Sequence, residues 1–271
     1  MIRFLCTDLD RTLLPNGPDQ EPPGARGALR DHLARHDVRL AYVTGRDVGR
    51  VRDAIERWSL PVPDFVAADA GTTIVRIDGG CWRPDEAWAA LQAERWGGLD
   101  GRAVHDCLSS DIDGLTAQSA DRQRPFKRSY TVSPGVHRAQ LCTMIDQRTR
   151  KLGLEVAMLF SHDPLSDEIL LDLVSPVATK RGAVAHLAEA LSVEEHQVLF
   201  AGDSGNDLDA LLSDFPAVLV GNADAETRQQ VLAGMLAGGR ADRLYQARAP
   251  YAAGILEGLE HFAALTIAAS D

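Results

Sequence analysis

The sequence is short of several features that mark particular protein classes. Its 271 residues include only four cysteines, Cys6, Cys81, Cys107 and Cys142, widely spaced and without a Cys-x-x-Cys pair. That excludes a zinc-finger module and a disulfide-stapled scaffold, and it makes a reducing, cytoplasmic setting the expectation. No apolar run approaches the ~20 residues that a membrane-spanning helix needs. The start, MIRFLCTDLD, passes straight from an apolar segment to carboxylates, with no signal-peptide pattern. Positive charge is scarce as well. Against 39 Asp and Glu stand 28 Lys and Arg, a net charge of −11, which is the opposite of a nucleic-acid-binding footprint. Lysine is scarcest of all: only Lys127, Lys151 and Lys180 occur. A lysine kept in so arginine-rich a chain is a candidate for work that a compact, freely rotating ammonium does better than a planar guanidinium.

What is present fits an ordinary globular protein. Hydrophobic residues make up 45% and charged residues 25%, enough apolar surface for a core. At roughly 150 residues per domain the length suits one large or two smaller domains. Apolar runs at 2–6, 38–43 and 65–68 alternate with helical patterns at 25–36 and 47–58. In the second helix Val48, Val51, Ile55 and Trp58 share a stripe. Short strands alternating with helices predict a parallel sheet with crossover helices. The rhythm changes near Gly79-Gly80 and returns near residue 176. The predicted architecture is therefore α/β: a Rossmann-like parallel-sheet core (1–79 and 176–271) with an inserted α+β cap domain (80–175).

Three apolar runs end in oxygen. The first leads to Asp8 and Asp10, the second to Thr44-Gly45, and the run 198–201 leads to Asp203 and Asp207. Ligands of an open parallel sheet bind beyond the carboxyl ends of its strands, so these groups are expected on one rim. Each ending alone is an ordinary turn or helix cap. Together they imply a cation, because like charges about 4 Å apart repel by roughly 4 kcal/mol at an effective dielectric near 20. Few hard oxygen ligands beside an open, ligand-facing site favour Mg2+, which commonly keeps waters, over Ca2+.

Asp8-Leu9-Asp10-Arg11-Thr12, Thr44-Gly45, Lys180 and Gly202 to Asp207 resemble the four signature motifs of the haloacid-dehalogenase-like (HAD-like) superfamily, with the larger class of inserted cap. Phe126-Lys127-Arg128-Ser129-Tyr130, Leu171-Asp172-Leu173, Thr179-Lys180-Arg181-Gly182 and Ala253-Gly254-Ile255-Leu256-Glu257 resemble its bacterial sucrose-phosphate phosphatase branch. One departure is Arg11, where that branch often has Asn.

The resemblance implies an Mg2+-dependent phosphatase with Asp8 as nucleophile and Asp10 as general acid and base, its pKa raised by its anionic surroundings. It implies metal ligation by Asp8, the main chain of Asp10 and Asp203, with Asp207 acting through water. Thr44, Gly45, Lys180 and Asn206 would hold phosphate. Lys127, Tyr130 and Asp172 of the cap would contact the sugar. The implied substrate is sucrose 6-phosphate or a related disaccharide phosphate. Mannosylfructose or glucosylglycerol phosphate, a phosphohexomutase, and a non-catalytic sugar-phosphate-binding partner of a glycosyl-phosphate synthase are the alternatives. Neither nucleic acid nor a membrane is expected as a partner.

Overall fold

The computed structural model describes residues 1–108, 112–163 and 167–268. It divides into two compact units, 1–84 with 180–271, and 85–179. The first begins β1 (Phe4–Thr7), α1 (Ala25–Arg35), β2 (Arg39–Val43), α2 (Val48–Trp58), β3 (Phe65–Ala68), β4 (Thr73–Asp78) and β5 (Cys81–Pro84). The inserted unit contributes α3 (Glu86–Arg95), α4 (Gly101–Leu108), β6 (Leu115–Ala117), β7 (Lys127–Val132), α5 (Arg138–Lys151), β8 (Ala157–Asp163) and β9 (Glu168–Val174). The first unit resumes with α6 (Lys180–Ala190), β10 (Val198–Gly202), α7 (Leu208–Leu211), β11 (Ala217–Leu219), α8 (Ala225–Ala237), β12 (Leu244–Gln246) and α9 (Tyr251–Ala268).

The larger sheet has the order β12-β11-β10-β1-β2-β3-β4-β5. From β12 to β3 the neighbours are parallel, while β4 and β5 are antiparallel additions. β1 is buried along its whole length, as expected of a strand covered on both faces. The chain leaves β1 toward β2 and later returns on its other side as β10. That reversal is the topological switch point at which such sheets open a crevice. Asp47 starts α2 by accepting the Arg50 amide at 2.9 Å, the usual way an orphan N–H is satisfied.

The division between the units differs from the one expected at 79/80. Gly79 and Gly80, both at positive φ (55° and 82°), form a tight hairpin turn of the kind glycine permits. Cys81–Pro84 then pairs back on β4, so Trp82 belongs to the larger sheet, and Arg52 lies over its ring at 4.5 Å. α8 was not expected either: its buried residues are only Thr227, Val231 and Met235, too thin a stripe to stand out in the sequence. The inserted unit is an antiparallel sheet, β6-β7-β9-β8, with α4 and α5 supplying Val104, Leu108, Leu141 and Ile145 to its core. Among the described residues no helix is long and apolar enough to cross a membrane.

Candidate active site

Sheet register builds the site. Thr7 aligns with Ala201 on β10 and with Tyr42 on β2, so Asp8, Asp203 and Thr44 leave the sheet at the same end. Asp8, Asp203 and Asp207 each present a carboxylate oxygen within 4.8 Å of the others, and all three are buried. Lys180 opens α6 and reaches this cluster. Its Nζ donates to Asp8 Oδ1 at 2.9 Å, to Asp207 Oδ1 at 2.6 Å and to Asn206 Oδ1 at 3.2 Å. The other Asp207 oxygen accepts the backbone amides of Asp203 and Ser204, each at 3.1 Å. Asp207 thus ties the loop to the lysine. A Cβ at Gly202 would lie 2.8 Å from the Asp207 side chain, so glycine is required for the aspartate to fold back under the strand end.

The charge balance is uneven. Three buried carboxylates face one buried ammonium. Burial disfavours the Lys180 ammonium, but Asp207 and Asp8 outweigh it and hold Lys180 well above its ordinary value. Burial pushes Asp8 up to about 8; Lys180 opposes the shift, and Asp207 and Asp203 add to it. Burial, then Asp207, pushes Asp203 up to about 6 against Thr12, Arg11 and Lys180. Asp203 Oδ1 accepts from Thr12 Oγ1 at 2.8 Å. Among the described residues its Oδ2 is buried without a hydrogen-bond partner, and Arg11 Nε lies 3.6 Å away. Buried polar atoms are seldom left unpaired. An all-oxygen donor set with an orphaned oxygen and surplus negative charge fits a hard divalent cation.

Asp10 differs from expectation. Its Oδ2 accepts from Arg46 Nε at 2.7 Å and its Oδ1 from Arg46 Nη2 at 2.6 Å. Asn16 Nδ2 donates to the same Oδ1 at 2.6 Å. Burial alone would raise its pKa, but Arg46, Asn16 and Lys180 outweigh burial and lower it. The expected raised value is therefore corrected, because a forked guanidinium stabilises the ionised carboxylate. Sequence reading missed Arg46 and Asn16, although Arg46 directly follows Thr44-Gly45. The Thr44 side chain is fully buried and accepts the Arg46 amide at 3.2 Å. Gly45 is exposed and has open space where a Cβ would stand.

Within the inserted unit, Lys127 and Asp172 meet and Tyr130 goes elsewhere. Ser129 is the cross-strand partner of Asp172 and Tyr130 that of Leu171. Alternation along β7 places Lys127 and Ser129 on one face and Tyr130 on the other. Lys127, 6% exposed, donates to Asp172 Oδ2 at 3.3 Å. Tyr130 is 3% exposed in the hydrophobic core with Leu171 and Leu173, and its hydroxyl lies 3.3 Å from His105 Nδ1. The expectation that Tyr130 meets a sugar is corrected accordingly, because its ring packs in that core. Trp88 and Trp96 are buried too.

The family model for sucrose-6F-phosphate phosphohydrolase matches residues 2–263. A HAD-like hydrolase of Nitrosococcus oceani is 38% identical over 96% of this chain and 71% of its own length. The chain is 30% identical to part of a glucosylglycerol-phosphate synthase of Pseudomonas anguilliseptica, over 96% of this chain but only 30% of that protein. Among solved structures, the sucrose-phosphatase of Synechocystis sp. PCC6803, in complex with sucrose and phosphate, superimposes with a TM-score of 0.73 at 29% identity, covering 97% of this chain and 98% of that one.

Proposed function

The chain belongs to the sucrose-6F-phosphate phosphohydrolase family of HAD-type phosphatases, and we propose that it hydrolyses the phosphate monoester of a disaccharide, sucrose 6-phosphate first among the substrates to test. The single observation that carries the chemistry is the Asp8–Asp203–Asp207 cluster with Lys180 bonded into it.

Asp8 and Asp203, with the main chain of Asp10, are the groups to hold Mg2+, and Asp207 supports them. Bound there, Mg2+ would withdraw charge from the phosphoryl oxygens so that two anions can approach. An Asp8 oxygen attacks phosphorus as the bond from phosphorus to the sugar oxygen breaks, leaving an aspartyl-phosphate. Arg46 holds Asp10 ionised, so Asp10 takes up a proton as the phosphate dianion binds beside it, and the sugar oxygen then takes that proton from Asp10. Asp10 then takes one from a water that attacks the same phosphorus, releasing phosphate and restoring Asp8. Lys180 neutralises charge on Asp8 and on the transferring group, and Asn206 orients its ammonium. Thr44 and the Gly45 amide hold a phosphoryl oxygen.

The inserted unit acts as the cap of this reading. Its Lys127–Asp172 pair supplies a donor and an acceptor for sugar hydroxyls. The test is phosphate release with Mg2+ across sucrose 6-phosphate, other disaccharide phosphates, glucosylglycerol phosphate and hexose phosphates. Release with a disaccharide phosphate at least about tenfold faster than with hexose phosphates is expected, since each 1.4 kcal/mol of discrimination is tenfold. Isomerisation without release would replace the reading by a mutase, and no turnover with any substrate would leave a binding partner of a synthase.

A further inference from the structure

Asp10 has two duties in the proposed cycle, and in-line transfer asks one geometry of both, because the water attacks from the side the sugar oxygen left. As an acid it must reach the sugar oxygen; as a base it must face the attacking water. A free aspartate turns readily about its terminal torsion. This one does not. Arg46 takes both of its oxygens in a fork of 2.6 and 2.7 Å, and Asn16 takes Oδ1 a second time at 2.6 Å. Paired donors of this kind impose direction as well as attraction. Asn16 is itself anchored, its Oδ1 accepting the Arg11 amide at 2.8 Å. The Arg46 amide is fixed to Thr44 Oγ1 at 3.2 Å. One buried threonine thus connects the clamp to the end of β2.

The clamp lies outside the packed interior. The Arg46 side chain is 26% exposed, and with Asn16, Arg50, Arg57 and Trp58 it lines a cavity of about 360 Å³. An arginine used only for packing would gain nothing from that position. A two-point contact on a reacting carboxylate would.

We propose that Arg46 is a positioning residue that fixes the Asp10 carboxylate for the water-activating half of the reaction. Arg46 touches neither substrate nor phosphorus in this role and acts only through Asp10. The inference rests on Asp10 acting as proposed above.

The experiment separates the two half-reactions. p-Nitrophenyl phosphate releases its leaving group without needing a proton, so only breakdown of the aspartyl-phosphate requires Asp10. Stopped-flow measurements with Mg2+ would compare the unaltered protein, Arg46→Met, Arg46→Lys and Asp10→Asn. In Arg46→Met the expected result is a burst approaching one nitrophenolate per site, followed by a steady state slower by about 10- to 100-fold, the scale of a displaced catalytic group. Arg46→Lys, which restores a single donor, should recover part of that rate. Far-UV circular dichroism should match among the variants, because the cavity beside Arg46 spares the core.

Equal slowing of both steps without a burst, and no recovery by lysine, would mean a merely structural arginine and would overturn the inference. A raised KM with kcat unchanged would overturn it too, by making Arg46 a substrate contact. If Asp10→Asn bursts and Arg46→Met does not, only the role of Arg46 falls. If Asp10→Asn shows no burst, the assignment of Asp10 has failed and the inference falls with it.

Discussion

The two units each bury a lysine against aspartate, and they do so with different arithmetic. In the larger unit Lys180 faces Asp8 and Asp207, with Asp203 close by. The carboxylates outnumber the ammonium, and burial, with the neighbouring carboxylates adding to it, raises the pKa values of Asp8 and Asp203. In the inserted unit, among the described residues, Lys127 pairs with Asp172 alone. That pair is balanced and needs no further ion. An unbalanced buried cluster is costly until something positive arrives, which is what a cation-dependent phosphoryl site requires. A balanced pair at the edge of burial instead offers one donor and one acceptor, the pattern that suits neutral hydroxyls. Excess charge thus marks the unit proposed to do the chemistry, and balance marks the unit proposed to read the sugar.

The largest effect should come from Asp8→Asn. Turnover is expected to fall by roughly 10⁴-fold or more, as when a nucleophile is removed, while the thermal midpoint is kept or raised because a buried negative charge has gone. Phosphate release and thermal unfolding measure the two together. A variant retaining a tenth of the rate would take Asp8 out of the nucleophile's place.

The balanced pair should behave differently. Lys127→Ala is expected to lower kcat/KM for a disaccharide phosphate by about 10- to 100-fold, the worth of a hydrogen bond to a charged group. It should leave p-nitrophenyl phosphate nearly untouched. Equal losses on both substrates would erase the distinction drawn between the units.

Metal removal probes the imbalance directly. Asp8 and Asp203 have folded values raised above the ordinary 3.8, to about 8 and about 6. Without metal, the native state therefore holds protons that the unfolded chain releases. The stability they contribute is present below the unfolded value and is lost as pH rises through about 6 and then about 8. The gap in thermal midpoint between Mg2+ and EDTA should accordingly be wider at pH 8 than at pH 5. A gap independent of pH would detach the cation from this cluster.

The smallest effect should be at Arg11, the second cation near the acidic cluster. Its φ of 61° is left-handed, a conformation that asparagine tolerates better than arginine does. Its ion pair with Asp203, at 3.6 Å with the arginine side chain 43% exposed, is worth little. Arg11→Asn should stabilise the protein by about 0.5–1 kcal/mol in urea unfolding. Destabilisation would mean that Arg11 is a working counter-charge for Asp203.

The amino-acid sequence by itself determined the strands and their polar endings. Asp8, Thr44 and Asp203 were legible as one rim because parallel strands send their carboxyl ends to the same edge, whatever the loops do. Scarcity of the type marked all three lysines alike, and the resemblance to the signature motifs singled out Lys180. Only the tertiary structure decided the rest. Period-two alternation separates Lys127 from Tyr130 on β7, but not which of the two faces the helices α4 and α5 will cover. The state of Asp10 was equally out of reach, because Arg46 stands 36 residues away and its guanidinium could as readily have met solvent. Local pattern fixes the backbone path. Which side chains share a dielectric, and hence a charge, is settled when distant segments pack.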